Sequence, residues 1–127
     1  MSTLTPEFAQ RFAAEWIAAW NAHDIDRVLQ HYREDFDFRS PVIVTTVGEP
    51  SGHLRGKAAI GAYWRVALSR NPSLHFELID VLVGASSLTL YYRGHRGTAA
   101  ETFVFDDAGL VQQSTACYSA LAVRAPA

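Results

Sequence analysis

At Pro72 the hydrophobic pattern of this chain changes period. Upstream, apolar residues recur at helical spacing: Phe8, Phe12, Trp16 and Trp20 follow one another every fourth residue, and Ile17 widens the stripe. Downstream they alternate, so that segments 74–83, 87–94, 99–105 and 110–121 read as strands separated at hairpin lengths. Helices followed by an antiparallel meander make an α+β chain with its helices on one face of a sheet. Long meander strands twist and coil. The expected shape is a cone: three N-terminal helices on the concave face of a curved, mainly antiparallel sheet, with an open mouth suited to a ligand.

Local signals place the helices. Thr5 is a good N-cap, Pro6 is preorganised for the first helical position, and Glu7 suits the positive helix end. Asn21, Ala22 and His23 break that helix. Asp24 caps a second one, whose buried face would be Ile25, Val28, Leu29 and Tyr32. A short strand follows at 35–40, with Phe36 and Phe38 facing one way and Asp37 and Arg39 the other; Pro41 ends it. Val42-Ile43-Val44 favours an extended form, and Gly48, Pro50 and Gly52 favour a loop. The third helix covers 57–70, with Ile60, Tyr63, Trp64, Ala67 and Leu68 on its apolar face, and Asn71-Pro72 closes it.

A chain of 127 residues suits one domain with one core. The formal net charge is −2 and Lys57 is the single lysine, so there is no basic stripe for nucleic acid or an anionic membrane. No apolar run is long enough to span a bilayer, and MSTLTPEF lacks the basic and apolar regions of a signal peptide. One cysteine, Cys117, excludes an internal disulfide and fits a reducing, cytoplasmic setting. The tail, 122–127, reads as disordered.

Glu101 is the sharpest chemical candidate. Strand alternation puts it on one face with Phe103 and Phe105. A carboxyl among phenylalanines has its pKa raised by desolvation and can serve as a general acid or base near neutral pH. The competing reading pairs Glu101 with an arginine such as Arg93 on a solvated or interface face. Trp16, Trp20, Tyr63 and Trp64 either plug the core or wall a cavity. Tyr118 shares a face with Ser114 and Ala116, and its hydroxyl could donate to a ligand; Cys117 falls on the other face without an activating neighbour. The five histidines form no metal-binding spacing, so neither metal nor cofactor is expected. Asp24 and Asp26 are explained by helix capping. His53 is a loop residue, at most a cavity-mouth group.

The run WNAHDIDRVLQHYREDFDFRSP, the later LRGKAAIGAYW and the near-terminal FVFDDAGLVQQSTACY resemble the nuclear transport factor 2-like superfamily, in its SnoaL-like and ketosteroid-isomerase-like branch. The resemblance implies a single domain over 5–121 and an inward direction for Leu88, Leu90, Tyr92, Ser114 and Tyr118. Steroid isomerases keep an oxyanion-binding tyrosine on the first helix; the similar position here is Trp16. Their proton-abstracting aspartate precedes the proline after the first strand; that position is Ser40. Their second oxyanion donor falls on Glu101. Ser40 cannot abstract a carbon-bound proton without a base beside it, so the steroid-isomerase mechanism is not expected.

Two functions remain open. One is a cofactor-free acid–base enzyme (isomerase, cyclase or dehydratase) acting on a small apolar molecule. Glu101 and Tyr118 would be its catalytic groups, and Trp16, Trp20, Tyr32, Ser40, Tyr63, Trp64, Leu88, Leu90, Tyr92, Phe103 and Ser114 its substrate contacts. The other is a non-catalytic ligand-binding or dimerisation module. A homodimer through the outer sheet face, which carries Tyr91, Thr102, Val104 and Thr115, is expected in either case.

Overall fold

The computed structural model describes residues 4–121. Helix α1, Pro6–Asn21, begins as its signals require: the Thr5 hydroxyl accepts a hydrogen bond from the Phe8 amide at 3.1 Å, with Pro6 in the first turn. Its buried face is Ala9, Phe12, Ala13, Trp16, Ala19 and Trp20. Helix α2, Ile25–Leu29, is capped by Asp24, which accepts from the Arg27 amide at 3.1 Å. Tyr32 does not extend this helix. It opens strand β1, Tyr32–Arg39, where Phe36 and Phe38 are buried as alternation requires.

The chain then departs from expectation. Residues 41–47 form a helix, α3 (Pro41–Val47), not an extended segment. Ser40 and Pro41 supply an N-cap and first-turn proline, the Ser40 hydroxyl accepting from the Val42 amide at 3.1 Å. Gly48 closes the helix at φ 76°, and Ile43 is fully buried. Two terminal signals and one core contact outweigh the modest strand preference of three β-branched residues. Strand β2, His53–Arg55, follows. His53 is therefore a strand residue, its Nε2 lying 2.7 Å from the Asp37 carboxylate of β1. Helix α4, Lys57–Arg70, buries Ile60, Tyr63 and Trp64.

Strands β3 (Glu77–Val83), β4 (Ser87–Gly94), β5 (Gly97–Phe105) and β6 (Val111–Tyr118) form the expected meander. The full sheet has six strands in the order β2-β1-β6-β5-β4-β3, antiparallel except where β1 runs parallel to β6. Four helices, one more than the sequence pattern suggests, accompany this curved, open sheet. The architecture is α+β and cone-shaped. Asn21 joins helix to sheet: its Nδ2 donates to the Phe76 carbonyl at 2.9 Å and its Oδ1 accepts from the Phe76 amide at 2.7 Å. This side-chain amide satisfies Phe76 as a neighbouring strand would. Among the described residues no helix is long and apolar enough to cross a membrane. The tail at 122–127 lies outside the described residues.

Candidate functional site

The two halves of α1 treat the concave face differently. Its N-terminal half lies directly on the sheet: Phe8 meets Phe105 edge-on at 5.3 Å, and Phe12 meets Phe103 at 5.0 Å. That end is filled. Toward its C-terminus, α1 stands with α3, α4 and the β4–β5 turn around a cavity of about 410 Å³. Trp16, Trp20, Phe38, Tyr63, Trp64 and Phe76 make most of its aromatic wall. Gly94 matters here because a Cβ would lie 3.1 Å from the Phe76 ring and push it from this wall.

Glu101 is part of the inner wall and only 4% exposed. The Tyr92 hydroxyl donates to its Oε1 at 3.2 Å and the Ser114 hydroxyl to its Oε2 at 3.0 Å. Arg93, the alternative partner, points elsewhere and pairs with Glu77 at 3.3 Å. Burial raises the Glu101 carboxyl from 4.5 to about 7, against the opposing pull of the Ser114 and Tyr92 hydrogen bonds. Four phenols are close enough to feel its charge: Tyr32, Tyr63, Tyr92 and Tyr118. All four are raised, first by burial, Tyr118 to about 12. They stay protonated at neutral pH and remain donors. Ser40 lies near both Tyr63 and Tyr118 and lowers their pKa values slightly against the effect of burial.

The structure thus brings Trp16, Trp20, Tyr63, Trp64, Tyr92, Glu101 and Tyr118 onto one cavity wall. Six other candidates stand off it. Ser114 holds Glu101 from behind, Ser40 caps α3, and the Tyr32 hydroxyl accepts from the Trp16 Nε1 at 2.9 Å. Leu88, Leu90 and Phe103 are close-packed core. They share an inward face with Tyr92 and Glu101 but do not line the cavity. Alternation reports which face a residue takes, not how far along the strand the cover stands off.

Sequence reasoning missed the mouth. Thr45 and Thr46 on α3, Arg70 and Asn71 at the end of α4, and His95 and Arg96 on the β4–β5 turn all line the cavity. The Ser40-Pro41 capping pair could have revealed α3; nothing in the pattern singles out the two arginines. Cys117 is exposed. Among the described residues no group of three or more His, Cys, Asp or Glu is placed to hold a metal.

The profile of the SnoaL-like domain family matches residues 13–113. The chain belongs to the SnoaL-like domain family. A SnoaL-like protein of unknown function from Burkholderia thailandensis E264 is 50% identical, with a TM-score of 0.88 over 92% of this chain and 98% of that one. A protein of unknown function with a cystatin-like fold, from Methylobium petroleophilum PM1, is 19% identical, with a TM-score of 0.73 over 98% and 84% of the two chains. An NTF2-like protein of unknown function from Cytophaga hutchinsonii ATCC 33406 is 14% identical, with a TM-score of 0.66 over 94% and 95%. No protein of curated function matches the chain. The SnoaL-like membership and the nuclear transport factor 2-like fold support a small-molecule-binding domain.

Proposed function

We propose that this SnoaL-like domain is a cofactor-independent acid–base enzyme of isomerase, cyclase or dehydratase type. It acts on a small apolar molecule bearing a carbonyl or hydroxyl oxygen. The observation that carries this reading is Glu101: a carboxyl on the cavity wall, held by two hydroxyls and buried, so that burial pushes its pKa up to about 7. A group with that pKa is present in both protonation states at neutral pH, which suits proton transfer. Tyr118, on the cavity wall, would donate to the substrate oxygen; the aromatic walls would hold the apolar body. Proton transfer to and from carbon or oxygen needs no metal or nucleotide.

The route is not that of the steroid isomerases. Ser40 occupies the base position and is engaged as an α3 cap. The Trp16 N–H is already given to Tyr32. These same facts favour a second reading, a binding module that holds its ligand without turning it over.

One experiment separates the two. Protein purified without denaturation is expected to release a small carbonyl- or hydroxyl-bearing molecule on mass spectrometry. Added back, that molecule should be converted, and Glu101→Gln should keep the ligand but slow conversion by about 10²–10⁴-fold. Unchanged turnover in Glu101→Gln ends the catalytic reading; retention without conversion by the unaltered protein leaves the binder.

We further propose a cytoplasmic homodimer joined through the outer sheet face. Tyr91 is 39% exposed and Leu82 on the edge strand 53% exposed, an apolar pair where solvated sheets carry charge. Sedimentation at micromolar concentration should give twice the chain mass; a monomer would dispose of the dimer.

A further inference from the structure

We propose that the ligand of this cavity is an acid: an apolar molecule whose carboxylate is held at the mouth by Arg70 and Arg96 while its body lies among the aromatic rings. The inference rests on the cavity being the binding site and adds the charge of what it takes. Arg70 sits in the last turn of α4 and Arg96 in the turn joining β4 to β5, so the two approach the same cavity from different walls.

Five of the nine described arginines already have carboxylates. Arg27 pairs with Glu15, Arg33 with Asp35, Arg55 with Asp37, Arg65 with Asp26 and Arg93 with Glu77. Arg70 and Arg96 make no ion pair with any described residue. Nor do they serve Glu101, the one carboxylate among the residues lining the cavity. What acts on Glu101 is burial and the hydrogen bonds from Ser114 and Tyr92. Arg96 instead lies over the Tyr118 ring, 6.0 Å from its centroid, and its charge reaches Tyr118 and Tyr63. His95 adds no third charge, because burial, then the Arg96 charge, lowers its pKa.

The cavity therefore has two poles. A neutral-to-acidic inner wall holds Glu101 and its phenols; a positive mouth holds two guanidinium groups. Low-dielectric walls strengthen the field at such a mouth, and a planar guanidinium matches a carboxylate through two parallel N–H donors. A neutral apolar ligand would leave both groups unused. A carboxylate anchored there fixes which end of the molecule meets Glu101.

The test uses 2-naphthoate and its methyl ester, titrated into the full chain and read by calorimetry. Naphthoate is expected to bind at least about tenfold more tightly than the ester. In the Arg70→Ala/Arg96→Ala double variant that preference should fall to near unity while ester affinity holds. Both side chains are exposed, so the variant should fold; Arg70→Lys/Arg96→Lys, which retains charge, should keep part of the preference. Equal binding of acid and ester by the unaltered protein overturns the proposal but leaves the cavity as a binding site. A preference that survives in the double alanine variant also overturns it. Binding of neither probe removes the cavity reading, and this proposal with it.

Discussion

Replacing Glu101 with glutamine is expected to remove about 3 kcal/mol of pH dependence from the stability of this protein. The folded carboxyl holds its proton to about pH 7, against an ordinary value of 4.5. Below 4.5 the folded and unfolded chains both carry that proton, so Glu101 imposes no charge-burial penalty. Between 4.5 and 7 the unfolded chain releases it first; folding then takes up a proton, and stability declines as pH rises. Above 7 both states are ionised and the loss is complete and constant. Glutamine does not ionise. Its amide retains an acceptor for one hydroxyl and offers a donor to the other, since Tyr92 and Ser114 can each turn to accept. The check is urea denaturation of both proteins from pH 4 to 8. The difference in unfolding free energy should swing in favour of Glu101→Gln by about 3 kcal/mol across that range. A flat difference would mean that Glu101 titrates as an ordinary carboxyl, and the tuned acid of the proposed mechanism would go with it.

Trp16→Ala should be the most damaging single substitution in the helical layer, at about 3–5 kcal/mol. Trp16 is 1% exposed. Its ring stacks on Phe76 at 5.8 Å, meets Phe103 at 5.5 Å and Tyr92 at 5.4 Å, and touches Trp20 at 6.1 Å. It therefore braces the sheet, the β3 approach and the next turn of its own helix together. Truncation enlarges an existing cavity where no neighbour can close the gap, and it strips the Tyr32 hydroxyl of a donor in a dry site. Against a total stability of about 5–15 kcal/mol for a domain of ordinary kind, such a loss brings the chain near unfolding. Trp16→Phe separates the two contributions: it keeps most of the apolar contact, gives up the N–H, and should cost about 1–3 kcal/mol. Denaturation midpoints measure both. A cost below about 1 kcal/mol for the alanine variant would show that Trp16 is a mobile cavity wall instead of a brace.

Much of this architecture was legible because its signals are local and agree with one another. Thr5 with Pro6 starts one helix and Asp24 another, and the change of period at Pro72 marks where the meander starts. Glu101, Phe103 and Phe105 share an inward face because side chains on a strand alternate. The misreadings have a common cause. Tyr32 looked like the last residue of a helical stripe, but parallel pairing of β1 with β6 took it into the sheet. Val42, Ile43 and Val44 carry strand propensity, yet the Ser40 cap and the burial of Ile43 made them helical. In both cases a contact distant in sequence, or a cap one residue outside the segment, outweighed composition.

The sequence by itself determined the α+β class and the face that Glu101 shares with Phe103 and Phe105, since capping, periodicity and strand alternation act over a few residues, and its motifs carried the resemblance to the family. Tertiary structure decided the rest: where the cone stays open, which inward residues reach the opening, and that Arg70 and Arg96 both line it. These depend on how far α1 stands from the sheet, a distance set by Phe8 and Phe12 wedged against Phe105 and Phe103 at one end. Such a distance is a property of packed volumes, and no spacing along the chain encodes it.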